Sequence, residues 1–209
     1  MRNLNEIRFI STNFYTLQGL RAIPLGLCLV LVCLWANSLQ GAARGGDLIF
    51  PALTLASSAI VLYVIDRYYL GSVGRVQRRP ETRRLEWLVA VVFGMLALVA
   101  YIFDISFRLP VSVLGLVFAA GLLADVARMT WVVKGHVLLY YPVGAVLMAV
   151  VSLLPLLGVP NWWRAIGLNS QMIGIAMGIG IFSVFAGVWG HIFLVRHLQV
   201  PDRQHGNAI

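Results

Sequence analysis

Long apolar stretches alternate with short polar connectors along the whole chain. Six stretches without a charged residue cover residues 22–43, 48–65, 87–103, 109–124, 137–163 and 165–195. A helix needs about 20 apolar residues to cross a bilayer, with a lower limit of about 17. Five stretches meet that limit, and the fourth continues past one acidic residue to Val133. The pattern predicts six transmembrane helices, near residues 22–40, 48–70, 86–104, 109–133, 137–157 and 170–195.

The composition favours a membrane protein over a water-soluble one. Of the 209 residues, 60% are hydrophobic and 11% are charged, whereas an ordinary soluble domain has roughly 45–50% and about 25%. A soluble fold of this size could not bury so much apolar surface. The stretches also lack the in–out alternation of a membrane β-barrel. The sequence therefore predicts an all-α, polytopic transmembrane bundle that occupies residues 22–195.

Two polar flanks enclose this predicted membrane domain. Residues 1–21 carry apolar side chains near one helical face: Leu4, Ile7, Phe14, Leu17 and Leu20. That pattern is typical of an amphipathic helix lying flat in the headgroup zone, and a frayed terminus is the alternative. The first apolar stretch exceeds the roughly 7–15 residues of a signal-peptide core, so we expect it to be retained. Residues 196–209 are interpreted as a short cytoplasmic tail.

The orientation follows from the distribution of arginine and lysine. With six spans both termini lie on one side, and that side receives thirteen basic residues: Arg2, Arg8, Arg21, Arg67, Arg75, Arg78, Arg79, Arg83, Arg84, Arg128, Lys134, Arg196 and Arg203. The opposite side receives three: Arg44, Arg108 and Arg164. Because short cytoplasmic loops carry the excess of positive charge, both termini are predicted to be cytoplasmic. The expected location is the bacterial cytoplasmic (inner) membrane.

The connector between the second and third predicted spans holds the densest basic cluster. It contains five arginines: Arg75, Arg78, Arg79, Arg83 and Arg84. We interpret them as a topological signal that also contacts anionic lipid headgroups, each residue contributing on the order of 1 kcal/mol near the surface. A protein-docking loop is the alternative. The formal net charge of +8 does not indicate nucleic-acid binding, because the sequence shows no basic face with interleaved aromatic residues.

Two ionisable residues are candidates for a polar site within the membrane, where such groups are usually functional. Asp125 lies on the fourth predicted span, and Arg128, three residues later, can form an intrahelical pair with it. His191 lies on the sixth. A proton or cation site is the functional interpretation, whereas a paired charge near the boundary is the structural one and is preferred. Asp66, next to Arg67, is interpreted as a boundary charge.

Small residues on the sixth predicted span indicate helix packing. Gly180 and Gly187 lie on roughly the same face as His191, and Gly174 and Gly178 form a GxxxG pattern. Glycines at such spacings let a second helix approach closely. The two cysteines, Cys28 and Cys33, lie five residues apart in the first span and are interpreted as packing residues.

The known patterns of catalysis are absent from the sequence. It contains no HExxH, no CxxC and no pair of carboxylates within an apolar stretch. Heme ligation by His136 and His191 is not favoured, because His136 falls in a connector whereas axial ligands must face each other. We therefore expect no enzyme activity, no metal and no cofactor.

Two segments resemble other membrane proteins. FYTLQGLRAIPLGL, residues 14–27, and RYYLGSVGRVQ, residues 67–77, are similar to uncharacterised bacterial six-span proteins over about the first third of the chain. That resemblance implies no activity. The layout, with cytoplasmic termini and a flat leading helix, also resembles permease subunits of ABC-2-type exporters, although layout alone does not imply function.

Two hypotheses for the function follow. The preferred one is a non-catalytic membrane subunit that packs with a second copy or with another membrane protein, because small-residue stripes are present and buried polar clusters are not. The alternative is a small transporter or an ABC-2-like permease subunit, which would act with an ATPase partner and would need a polar path near the middle of the membrane.

Overall fold

The computed structural model describes residues 18–39, 48–72, 80–107, 109–132 and 138–198. These ranges are helical and contain no β-strand, which confirms the predicted all-α class. The predicted flat helix in residues 1–21 lies outside the described residues up to position 17, and the tail lies outside them from position 199.

Seven α-helices make up the described chain. They are α1 (Ala22–Ser38), α2 (Ile49–Ser72), α3 (Pro80–Phe107), α4 (Val113–Ala127), α5 (Tyr140–Leu153), the single-turn α6 (Trp162–Ala165) and α7 (Gln171–Leu198). A 3-10 turn, Gly19–Arg21, leads into α1, and a π-helical turn, Arg128–Val132, continues α4.

Five helices are long and apolar enough to cross a membrane: Gly19–Ser38, Ile49–Gly71, Trp87–Phe107, Val113–Trp131 and Gln171–Arg196. The helix in the fifth predicted span, α5, has 14 residues and is about 21 Å long at about 1.5 Å per residue. It ends two residues before Pro155, which has no backbone N–H to continue the helical hydrogen bonds. The chain then turns through Leu154–Gly158, with Leu156 N–H donating to the carbonyl of Leu153.

The long helices pack as two groups of three. In the first group, α1 packs closely against α7, and α2 packs on α1. In the second, α4 packs closely against α5, and α3 packs on α4. The helix α7 also contacts α5 and α4 and thereby joins the two groups. Phe182 of α7 contributes to this junction, since its ring lies 5.8 Å from the ring of Phe118 and packs on Gly144.

The apolar core follows the junction between the groups. Its larger cluster holds eight buried residues: Tyr69, Leu122, Met129, Leu138, Tyr140, Tyr141, Ala145 and Leu194. A smaller cluster, nearer the start of α4 and α7, holds Ala119, Met148 and Ile175. Burial of these side chains removes apolar surface from the surroundings and leaves close-packed contacts.

The helices α2 and α3 form the outer layer. Only 6% of the residues in the most apolar stretch of each of these two helices are buried, against 22% in the corresponding stretches of α1, α4 and α7. The exposed residues are large and apolar, among them Leu55, Ile60 and Val64 on α2 and Leu98 and Val99 on α3. An apolar exterior of this extent is consistent with a multi-pass membrane protein, because monomeric soluble proteins rarely expose large contiguous apolar surfaces.

Candidate functional site

Asp125 lies near the end of α4 and forms an ion pair within its own helix. The Nε atom of Arg128 lies 3.2 Å from Oδ1 of Asp125, with the two side chains 34% and 43% exposed, respectively. Three residues along a helix bring two side chains onto one face. The π-helical turn begins at Arg128, and the hydroxyl of Thr130 donates to the carbonyls of Val126 and Ala127. The carboxylate therefore has a charged partner at the helix end.

His191 lies on α7 and forms a hydrogen bond with Tyr69 of α2. The Nδ1 atom of His191 is 3.0 Å from the Tyr69 hydroxyl oxygen, and the two rings meet edge to face. Tyr69 is 2% exposed and His191 is half-buried. The pair connects α2 directly to α7, although α2 packs mainly on α1. No pattern in the sequence signalled the hydrogen bond between Tyr69 and His191, because the two residues are 122 positions apart.

A second connection lies at the same end of the bundle. The Nε atom of Arg21, just before α1, is 2.6 Å from Oδ1 of Asp66 on α2. Asp66 therefore pairs with a residue of another helix rather than with Arg67, its neighbour in the sequence. Arg67 instead donates from Nε and Nη2 to the hydroxyl of Tyr63.

The glycines of α7 occupy two different environments. A Cβ atom on Gly180 would lie 2.8 Å from the carbonyl oxygen of Gly26, and one on Gly187 would lie 2.6 Å from that of Gly19. Real Cβ atoms do not approach so closely, so α1 and α7 meet backbone to backbone at these two levels. Each pair is seven residues from the next on both helices, which is about two helical turns.

The GxxxG glycines face side chains instead. A Cβ atom on Gly174 would lie 3.0 Å from the ring of Trp162, and one on Gly178 would lie 3.6 Å from the sulfur of Met148. These two positions thus seat α6 and α5 against α7. Cys28 and Cys33 are both buried on α1 and carry free thiols.

The basic connector lies largely beyond the described part of the chain. Arg75, Arg78 and Arg79 lie outside it, and the structure describes the backbone of Arg83 but not its side chain. Arg84 lies in the second turn of α3 and is exposed. His136 also lies outside the described residues.

At the opposite end of the bundle, Asp104 caps a neighbouring helix. Near the end of α3, its carboxylate accepts hydrogen bonds from the N–H groups of Val113 and Leu114, at 2.7 and 3.1 Å, and from the hydroxyl of Ser112 at 2.8 Å. Ser112 in turn accepts from Gly115 N–H through its hydroxyl oxygen. The first N–H groups of α4, which have no partner within the helix, are thereby satisfied.

Asparagines hold the end of α1 to the start of α7. Asn37 donates from its amide to the carbonyl of Gly167 at 3.0 Å and accepts from the backbone N–H of Asn169 at 2.7 Å. The amide of Asn169 donates to the backbone carbonyl of Asn37. No sequence pattern signalled either contact, because Asn37 and Asn169 are 132 positions apart and the Asp104 cap depends on how α3 packs against α4.

The polar contacts described above lie near the two ends of the bundle and connect helices, whereas Gln18 Oε1, Trp162 Nε1 and Gln171 Nε2 are buried without a hydrogen-bond partner in the described structure. Among the residues that the structure describes, no three His, Cys, Asp or Glu side chains come together as potential metal ligands. No family model, no curated protein and no solved structure matches the chain.

Proposed function

We propose that the chain is a non-catalytic subunit of a membrane assembly, anchored by six spans with both termini in the cytoplasm of a bacterium. The observation that carries the proposal is the contrast between interior and exterior. Glycine pairs and bonded polar groups close the contacts between helices, whereas α2 and α3 present broad apolar faces outward. Such a molecule offers contact surface rather than a reaction centre.

The proposal of six spans depends on α5. At one end, Tyr141 joins the cluster that contains Met129 of the α4 extension; at the other, Ser152 accepts a hydrogen bond from Ser112 N–H, just before α4. The helix therefore runs beside α4 from end to end, and α4 belongs to a span of 19 residues. Because neighbouring helices and flanking turns can accommodate a short span, α5 with its flanking residues is the sixth crossing.

Topology is tested by accessibility of single cysteines in intact cells. The parent is Cys28→Ala/Cys33→Ala, and reporter cysteines replace Gly158 and Ile209. A membrane-impermeant maleimide should label position 158 in whole cells and position 209 only after lysis. Labelling of position 209 in whole cells together with protection of position 158 would contradict either the orientation or the crossing of α5, and equal exposure of both positions would contradict the crossing of α7.

The subunit proposal is tested by photocrosslinking from the outer helices. A photoreactive amino acid replaces Val64 on α2 or Leu98 on α3, both largely exposed, with the buried Leu194 as the control position. We expect one protein adduct from an exposed position, identified as a second copy or as a membrane protein whose amount falls when this chain is deleted. Adducts with lipid alone from both outer positions would refute the proposal.

The alternative, a small transporter or an ABC-2-like permease subunit with an ATPase partner, predicts a different result. Asp125 is bonded to Arg128 and His191 to Tyr69, which is why the subunit is preferred. A transporter coupled through Asp125 would lose proton- or ion-coupled transport in vesicles on Asp125→Asn. A subunit would keep the protein adduct and its assembly in that variant.

A further inference from the structure

Arg67 is a charged residue on the outside of a membrane helix. It lies within the span Ile49–Gly71, four residues before its end, and is exposed. Because few residues of this span are buried, the exposed side of α2 faces lipid and the adjoining headgroups. A charge at that position is costly unless an anion or water compensates it.

The side chain of Arg67 is held in a defined position. Its Nε and Nη2 atoms lie 3.2 and 3.1 Å from the Tyr63 hydroxyl oxygen, and Cζ lies 5.5 Å from the centre of the Tyr63 ring. Helical side chains point toward the N-terminus of their helix, so Arg67 lies back over Tyr63 toward the middle of the span. Tyr63 is 61% exposed, so the pair lies on the surface.

No carboxylate neutralises Arg67 within the described part of the chain. Asp66, its neighbour, is bonded to Arg21, and Asp125 is bonded to Arg128. Among the described residues, Arg67 contacts the neutral phenol of Tyr63 and keeps its positive charge without an acidic partner there. An anion from outside the described residues would complete the pairing.

The donors that remain fit a phosphate. A guanidinium has five N–H groups, and two of its nitrogens are directed at Tyr63, which leaves both N–H groups of Nη1 and one of Nη2. These form the fork that binds two oxygens of a phosphate. The Tyr63 hydroxyl accepts from Arg67 and keeps its own hydrogen to donate to a further phosphate oxygen.

We propose that Arg67 and Tyr63 bind the phosphodiester of a phospholipid. A lipid is favoured over free phosphate because Ile60 and Val64, which lie on the same side of α2, are 66% and 59% exposed and provide an apolar surface for an acyl chain. The site is distinct from the arginine-rich connector, and it holds for whichever leaflet surrounds this end of α2.

The test measures lipid binding to the purified full chain by native mass spectrometry in detergent, with phosphatidylglycerol or phosphatidylethanolamine added stepwise. Arg67→Gln should weaken phospholipid binding about tenfold and Tyr63→Phe about threefold, because the first removes charge-assisted hydrogen bonds and the second a neutral one. Arg164→Gln, which removes an exposed arginine at the opposite end of the bundle, is the matched control and should bind as the parent does.

Three results would overturn the proposal. Unchanged binding in Arg67→Gln would show that the fork is not used, and an equal loss in Arg164→Gln would show general charge attraction. Inorganic phosphate that displaces the lipid at equal concentration would show that the ligand is free phosphate. If Arg67→Gln is not monodisperse, Arg67→Lys replaces it, and parent-like binding in both Arg67→Lys and Tyr63→Phe would refute the site.

Discussion

Substitution of the glycines between α1 and α7 should separate the two helices. An alanine Cβ at position 26 would lie 2.6 Å from the carbonyl oxygen of Gly180, against the 3.4 Å at which ordinary contact begins. The obstacle is backbone, which cannot rotate away, so the helices must move apart by about 0.8 Å or bend. Gly180→Ala meets the same obstacle from the other side, with the Gly26 carbonyl oxygen at 2.8 Å.

The expected loss follows from two opposing effects. Overpacking of a close contact costs about 1–3 kcal/mol, whereas replacing a helical glycine by alanine gains up to about 1 kcal/mol. We therefore expect Gly26→Ala to lower the free energy of unfolding by about 1–2 kcal/mol, or the melting temperature by about 3–6 °C for a chain of this size. The free energy of unfolding of the double variant Gly26→Ala/Gly180→Ala should fall by less than the sum of the two single decreases, because one separation of the helices relieves both clashes.

The two native cysteines provide the assay. Cys28 and Cys33 are buried on α1, so a thiol-reactive fluorophore reports the opening of this helix on heating in detergent. The control is Gly94→Ala on α3, where a Cβ atom would meet nothing within 4 Å. The melting temperature of this variant should equal or exceed that of the parent. If Gly26→Ala and Gly94→Ala have the same melting temperature, the backbone contact between α1 and α7 does not exist.

Three further predictions test the bonds at the two ends of the bundle with the same assay. Asp104→Ala should lower the free energy of unfolding by about 2–4 kcal/mol, since three hydrogen bonds at the start of α4 are lost, and Asp104→Asn should lower it less. Equal melting temperatures of the parent and both Asp104 variants would contradict the cap. Tyr69→Phe should cost about 1 kcal/mol in the parent and less in His191→Phe, and an equal cost in both backgrounds would show that the two side chains are not coupled. Arg21→Gln should destabilise the chain by leaving Asp66 unpaired, and adding Asp66→Asn should restore most of the loss; no recovery would refute the ion pair.

The sequence predicted five membrane-length helices well, because the length and apolarity of each can be judged separately. A charge-free stretch must be long enough to cross, and this requirement can be read without knowledge of the neighbours. The predicted boundaries of the helices were less accurate. The helix α3 begins at Pro80, six residues before its predicted start, because a helix continues into the polar headgroup region where apolarity no longer marks it, and proline is well suited to a first helical position.

The contacts between helices could not be predicted, because each depends on two distant segments. Gly180 and Gly187 stood out as small residues on one face, but their partners Gly26 and Gly19 lie more than 150 positions earlier. A periodic pattern specifies a face without specifying what covers it. Asp104 marked the end of an apolar stretch, and its role as a cap exists only because α3 and α4 are adjacent.

The order of the helices along the chain determines when the bundle can close. The glycine face of α1 meets its partner only when α7, the last of the described helices, has been made, and α7 also joins the pair of α4 and α5 to the rest. Until then, α2 can pack on α1 and α3 on α4 as local hairpins, since neighbouring helices meet first when loop closure is short. The bonds that involve α7, namely Tyr69 with His191 and Asn37 with Asn169, secure its two ends. The polar groups at the ends of this bundle therefore fix the position of the last helix, while the apolar faces of α2 and α3 remain outside and available to lipid or to a partner.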